Sequence, residues 1–175
     1  MKSTLALFAA LAAFATPLSA GTVPSSSPAD LVLGYPDFVT DTLAAASPST
    51  LDLPRSVVVD PATRKVFVSD REDNRILRFA SADSLVNGAA AEAVFGQPNF
   101  TSSTANNPSA ERGLSNPSAL FIDRQGRLWV ADRANNRVLM YTSAATRTST
   151  PHPNLVLGQA SFTGNSFATT AARMN

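Results

Sequence analysis

With 175 residues, 44% of them hydrophobic and 15% charged, the chain carries enough apolar side chains for a packed domain and too few charges for a disordered one. Fourteen Lys and Arg face thirteen Asp and Glu, a balance that excludes a broad cationic surface for nucleic acid. There is no cysteine, which excludes disulfides, thiol catalysis and cysteine-based metal sites.

Residues 1–20 have the pattern of a secretory signal peptide: Lys2, the apolar run Leu5–Ala15, then Pro17-Leu18-Ser19-Ala20 before Gly21. The apolar run is 11 residues long, whereas a membrane span needs about 20. The expected location is therefore secreted or periplasmic, with no membrane span. Without residues 1–20 the chain holds Lys65 and twelve Arg against thirteen acids, a neutral balance. Residues 21–30 read as a linker.

From residue 31 the chain repeats itself. Leu31-Val32-Leu33-Gly34-Tyr35-Pro36-Asp37-Phe38 returns as Ala93-Val94-Phe95-Gly96-Gln97-Pro98-Asn99-Phe100 and again as Leu155-Val156-Leu157-Gly158-Gln159-Ala160-Ser161-Phe162, 62 residues apart both times. Between these lie three further matched blocks. Pro54-Arg55-Ser56-Val57-Val58-Val59-Asp60 matches Pro117-Ser118-Ala119-Leu120-Phe121-Ile122-Asp123. Lys65-Val66-Phe67-Val68-Ser69-Asp70 matches Arg127-Leu128-Trp129-Val130-Ala131-Asp132, and Asp73–Phe79 matches Asn135–Tyr141. The shift changes from 63 to 62 at the turn Pro61–Arg64 against Arg124–Gly126, where one extra loop residue is tolerated. The units are 31–92, 93–154 and a partial 155–175.

The β-branched and aromatic runs Val57–Val59, Val66–Val68 and Arg75–Phe79 predict three strands, with turn residues between them. Glu92–Phe95, and Leu155–Leu157 in the next copy, predict a fourth, outer strand stopped by Gly96 or Gly158. Thr101–Asn116 is expected as a polar surface loop. Three antiparallel strands with an outer fourth are the pattern of one propeller blade.

The blocks Pro-x-x-Val-x-x-Asp, Val-x-Val-x-Asp and Asn-Arg-Ile/Val-Leu resemble the NHL-repeat β-propeller family over about residues 31–162, in two copies. The departures are Thr63 where the family carries Gly, and Arg71 and Arg133 after the second Asp. The resemblance implies an all-β fold, a β-propeller of four-stranded antiparallel blades that is incomplete in this chain, because closed propellers need 4–8 blades. A fragment of a longer product, or self-assembly of short chains into a ring, is expected over a free two-blade module with exposed edges. Zinc-dependent lyase activity and RNA binding occur in the family. A single histidine argues against the first, and export with a neutral balance against the second.

Asp70, Asn74 and Arg75, with Asp132, Asn136 and Arg137, form a repeated polar signature. It is expected to hold the turn after the second strand through side-chain-to-backbone bonds, with the Arg stems laid along the sheet. Arg71 and Arg133, at equivalent loop positions, are the candidate ligand-binding residues. Phe67 and Trp129 are expected in the core between blades, and Phe38, Phe100 and Phe162 as anchors of the insert. His152, between Pro151 and Pro153, reads as a solvated loop residue. Asn99-Phe100-Thr101 is a formal glycosylation sequon.

No catalytic constellation, metal site or cofactor motif is present, so an enzyme is the less favoured expectation. The expected function is a non-enzymatic, exported binding or scaffolding protein for a protein, glycan or small ligand. The alternative is a propeller hydrolase or lyase whose catalytic residues lie in blades missing from this chain.

Overall fold

The computed structural model describes residues 28–42 and 44–166. The signal segment 1–20, most of the linker and the end of the partial third unit lie outside the described residues. Eight strands follow in chain order: β1 (Pro54–Val59), β2 (Lys65–Asp70), β3 (Arg75–Ser81), β4 (Ala93–Phe95), β5 (Pro117–Ile122), β6 (Leu128–Asp132), β7 (Arg137–Tyr141) and β8 (Leu155–Leu157). They form two antiparallel sheets of consecutive strands, β1-β2-β3-β4 and β5-β6-β7-β8. Helix is limited, among the described residues, to three short 3-10 turns. The chain is all-β, and neither sheet closes on itself.

The one-residue slip between the copies has a visible cause. The first β1–β2 turn closes from Asp60 N–H to Lys65 O, with the Asp60 carboxylate accepting from the backbone of Ala62 and Thr63 at 2.8 and 3.0 Å. Its counterpart closes one residue sooner, from Asp123 N–H to Arg127 O, with the Asp123 carboxylate accepting from Gln125 and Arg127. The shorter turn uses Gly126 at φ +69°, and the longer one uses Arg64 at φ +61°.

Alternation along the strands gives each sheet two apolar faces. Phe67, Ile76, Ala93 and Phe95 of the first sheet meet Leu120, Leu128, Val130, Leu139 and Tyr141 of the second. Phe95 stands edge-on to both Phe67 and Tyr141, with centroids 6.0 and 5.3 Å apart. Polar ties cross the same interface. Ser69 Oγ donates to Ser118 O at 2.9 Å, Leu120 N–H donates to Ser56 Oγ at 3.1 Å, and Arg78 Nη1 donates to Ala144 O and Arg147 O.

Behind the first sheet, Val66, Val68, Leu77, Phe79 and Val94 form a second cluster with Leu51 and Ala91, capped by Leu33, Leu85 and Phe100. The segment carrying Leu33 copies the seating of β4. Gly88 N–H donates to Val32 O as Thr150 N–H donates to Val94 O, and Val32 N–H reaches Asn87 Oδ1 as Val94 N–H reaches Ser149 Oγ. A Cβ on Gly34 would press on Leu51, and one on Gly96 on Leu114. Leu31–Leu33 is thus placed as a fourth strand, yet it pairs with no strand among the described residues.

Two expectations about aromatic residues need correction. Trp129 is only half-buried, because its face of the second sheet is the one turned away from the first. On opposite edges of that face Phe121, paired with Trp129, and Leu157, paired with Val138, are 62% and 46% exposed. Phe38 is 53% exposed and anchors nothing, whereas Phe100 and Phe162 pack against the two clusters. The insert is also less superficial than expected, since it sends Leu114 fully into the inter-sheet core.

Candidate functional site

The repeated signature forms two matching buried networks. Arg75 and Asp70 are both fully buried, with Nε 2.8 Å from Oδ2, and Arg137 holds Asp132 at 2.6 Å. Each carboxylate also accepts a backbone N–H from the preceding loop, Asp52 for Asp70 and Ser115 for Asp132. Each guanidinium then binds loop carbonyls: Arg75 donates to Phe100 O and Thr50 O, and Arg137 to Phe162 O, Ala110 O and Gly113 O. A cation buried at this depth persists because every arm has an acceptor. Burial pushes the Asp70 carboxyl up to about 6 against the pull of Arg75, and raises Asp132 in the same way.

Asn74 and Asn136 sit in the left-handed region at φ +52° and +51°, closing the turns before β3 and β7. Asn74 Oδ1 accepts Asn116 N–H at 2.8 Å and so links the first repeat to the second. Two residues of this scaffold were not singled out from the sequence. Gln97 Nε2 donates to Asn74 O and Thr104 O, and Gln159 Nε2 donates to Asn136 O and Ser166 O. Their signal was present, since both glutamines stand at the same place in the Gly-Gln motif.

These residues are occupied in holding loops. Arg71 and Arg133, each directly after its buried Asp, line one cavity of about 340 Å3 together with Arg55 and Ser118. Arg55 and Ser118 are themselves equivalent positions, the second residues of β1 and β5. The cavity therefore opens where both sheets begin their first strand, and it takes two positions from each repeat. Arg71 Nε donates to Asn116 Oδ1 at 3.2 Å and lies 3.5 Å from Glu72 Oε1. Among the described residues Arg55 and Arg133 make no ion pair within 4 Å, and both are exposed. Neither Arg55 nor Ser118 stood out in the sequence, because the two copies differ there.

His152 is half-buried and not simply solvated. Its ring stands edge-on to Phe162 at 4.9 Å, with Nε2 3.4 Å from Glu111 Oε2. No group of three His, Asp or Glu side chains able to hold a metal ion gathers among the described residues. No helix among them is long and apolar enough to cross a membrane. The half-buried Asp123 carries a carboxylate held by several donors. Burial pushes its carboxyl up, but hydrogen bonds from Trp129 Nε1 at 2.9 Å, from the Arg127 side chain and from the Arg127 and Gln125 backbone outweigh this and hold it at about 2. The Arg127 guanidinium also lies over the Trp129 ring at 5.5 Å.

The fold and cavity define an all-β protein of two stacked antiparallel sheets with an arginine-lined mouth at one end. The chain matches no protein-family model and no curated protein.

Proposed function

We propose that the chain is a portion of an exported NHL-type β-propeller that works as a non-enzymatic binding module, holding its ligand at the arginine-lined mouth. Two stacked four-stranded sheets support the propeller reading. So does the free apolar face of the second sheet, whose counterpart in the first is the face that docks the neighbouring repeat. The signal pattern at residues 1–20 supports export.

One observation carries the binding reading: Arg55, Arg71, Ser118 and Arg133 converge on one cavity while the other repeated polar residues are used up in the scaffold. Arg55 and Arg133 without an ion pair among the described residues, and Arg71 with its terminal nitrogens unbonded to any of them, gathered from two repeats around a concavity, are what a binding site requires and a fold does not. The test is a thermal-shift and capture screen of secreted-protein peptides, glycans and small metabolites. A captured ligand is recovered chemically unchanged, and capture disappears in the Arg55→Ala, Arg133→Ala double variant at unaltered Tm. Capture that survives the double variant places binding elsewhere and overturns the reading.

A further inference from the structure

Resting on that reading, we infer that the mouth takes a compact polyanion, a small molecule bearing two or three carboxylate or phosphoryl groups that bridges the two repeats. The lining is three guanidinium groups and one hydroxyl, with no carboxylate and no aromatic ring among them. Only Glu72, beside Arg71, compensates any of this charge within 4 Å among the described residues. Three like charges facing one concavity repel one another until an anion enters.

The fixed contacts of Arg71 run through Nε alone, so its two terminal nitrogens point no hydrogen bond at any described residue. Asn116 thereby orients the guanidinium and leaves its fork open. That fork matches a carboxylate or phosphoryl group through two parallel bonds. Arg55 and Arg133 supply two more forks from a strand and a turn, while the Ser118 hydroxyl, which donates to Ala131 O at 3.4 Å, adds a neutral polar wall.

Size and lining narrow the class further. A volume of about 340 Å3 lies near the lower end of ligand cavities, which suits a molecule of a few branched atoms. No aromatic ring lines the cavity among the described residues, so they offer no stacking surface of the kind on which sugar rings and bases are held. The cavity joins equivalent positions of two repeats, so a ligand with one anionic group satisfies only one side of it. A ligand with two or three gains the second contact without a second loss of translational freedom.

The experiment is isothermal titration of the full chain with citrate and with tripolyphosphate, against acetate, inorganic phosphate and the neutral trisaccharide maltotriose. Citrate or tripolyphosphate should bind about tenfold or more tightly than its single-group control, acetate or inorganic phosphate. Arg55→Gln and Arg133→Gln should each weaken it about tenfold, and salt at the physiological level should weaken it further. Preference for citrate identifies a carboxylate ligand, and preference for tripolyphosphate a phosphorylated one. Both residues are exposed, and unchanged circular dichroism shows that the variants fold. Citrate and tripolyphosphate no tighter than their controls, or as tight in the Arg55→Gln, Arg133→Gln double variant, overturn the polyanion. Maltotriose binding that resists Arg→Gln but is blocked by Arg55→Trp overturns the polyanion and leaves the binding reading standing. Binding blind to every substitution at the mouth overturns both.

Discussion

The two sheets are built from matching sequences, yet equivalent residues live in different surroundings. In the first sheet Phe67, Ile76 and Phe95 are fully buried against the second. Their counterparts Trp129, Val138 and Leu157 lie on a face that no other sheet covers among the described residues, half-buried or exposed. The polar ties follow the same division. Ser56, Ser69 and Arg78 bond across the interface, and their counterparts are Ala119, Ala131 and Met140. The loop-holding networks, by contrast, share the buried Asp–Arg pair and its loop carbonyls in both copies, with Asp73 bonding Arg75 in the first where Asn135 bonds Asp132 in the second. A repeat therefore specifies its own loops, and its neighbour decides what its faces are worth.

The sharpest way to break this comparison is through the networks, where the copies should behave alike. Arg75→Ala and Arg137→Ala should each cost about 3–5 kcal/mol, because each leaves a buried carboxylate and several loop carbonyls without a partner. Urea unfolding of the two variants checks it, and a large gap between them would end the equivalence. The faces should behave oppositely. Phe67→Ala should cost about 3–5 kcal/mol, whereas Trp129→Ala should cost only about 1 kcal/mol, the common size for a partly exposed site. Similar losses at both positions in the same unfolding assay would mean that the second face is covered.

A smaller effect isolates the polar ties. Arg78→Met gives the first sheet the residue that the second already has, and should cost about 1–3 kcal/mol by removing the side-chain donor to Arg147 O and one of the two donors to Ala144 O. Smaller again is an acid transition at Asp123 in the second repeat. The Asp123 carboxyl titrates at about 2 instead of 3.8, so its stabilising bonds are present above about pH 4 and are lost as the pH falls towards 2. Trp129 fluorescence should change across that window, and Asp123→Asn should remove the change. Least of all, Arg71→Ala with Arg133→Ala should alter stability by less than about 0.5 kcal/mol. A large fall in Tm would show that these arginines hold the fold.

Much of the architecture was legible because strand-forming runs and turn residues recur at fixed spacing, and a recurring Asp-x-x-x-x-Arg is a sign of scaffold. Arg71 and Arg133 were legible as the charges left over in that recurrence. Arg55 escaped because its equivalent is Ser118, so comparing the copies hid half the mouth. Trp129 misled for a related reason. Its side chain is as apolar as Phe67, and only the arrangement of the sheets says which of the two has something to pack against. The depth at which Arg75 and Arg137 are buried was also illegible, since it depends on carbonyls from loops far away in sequence.

The seating of Leu31–Gly34 on the first sheet, like that of Ala93–Gly96 on the second, bears on where the chain can be divided. A cut at 92/93, where the sequence copies meet, would strip β4 from its own sheet and remove the strand that the next sheet packs against. Each strand of this kind acts as a hinge pin shared by two leaves. Modules meant for grafting or duplication should accordingly be cut inside the insert 101–116, between a closing strand and the next opening one, so that every pin travels with the leaf to which it is hydrogen-bonded.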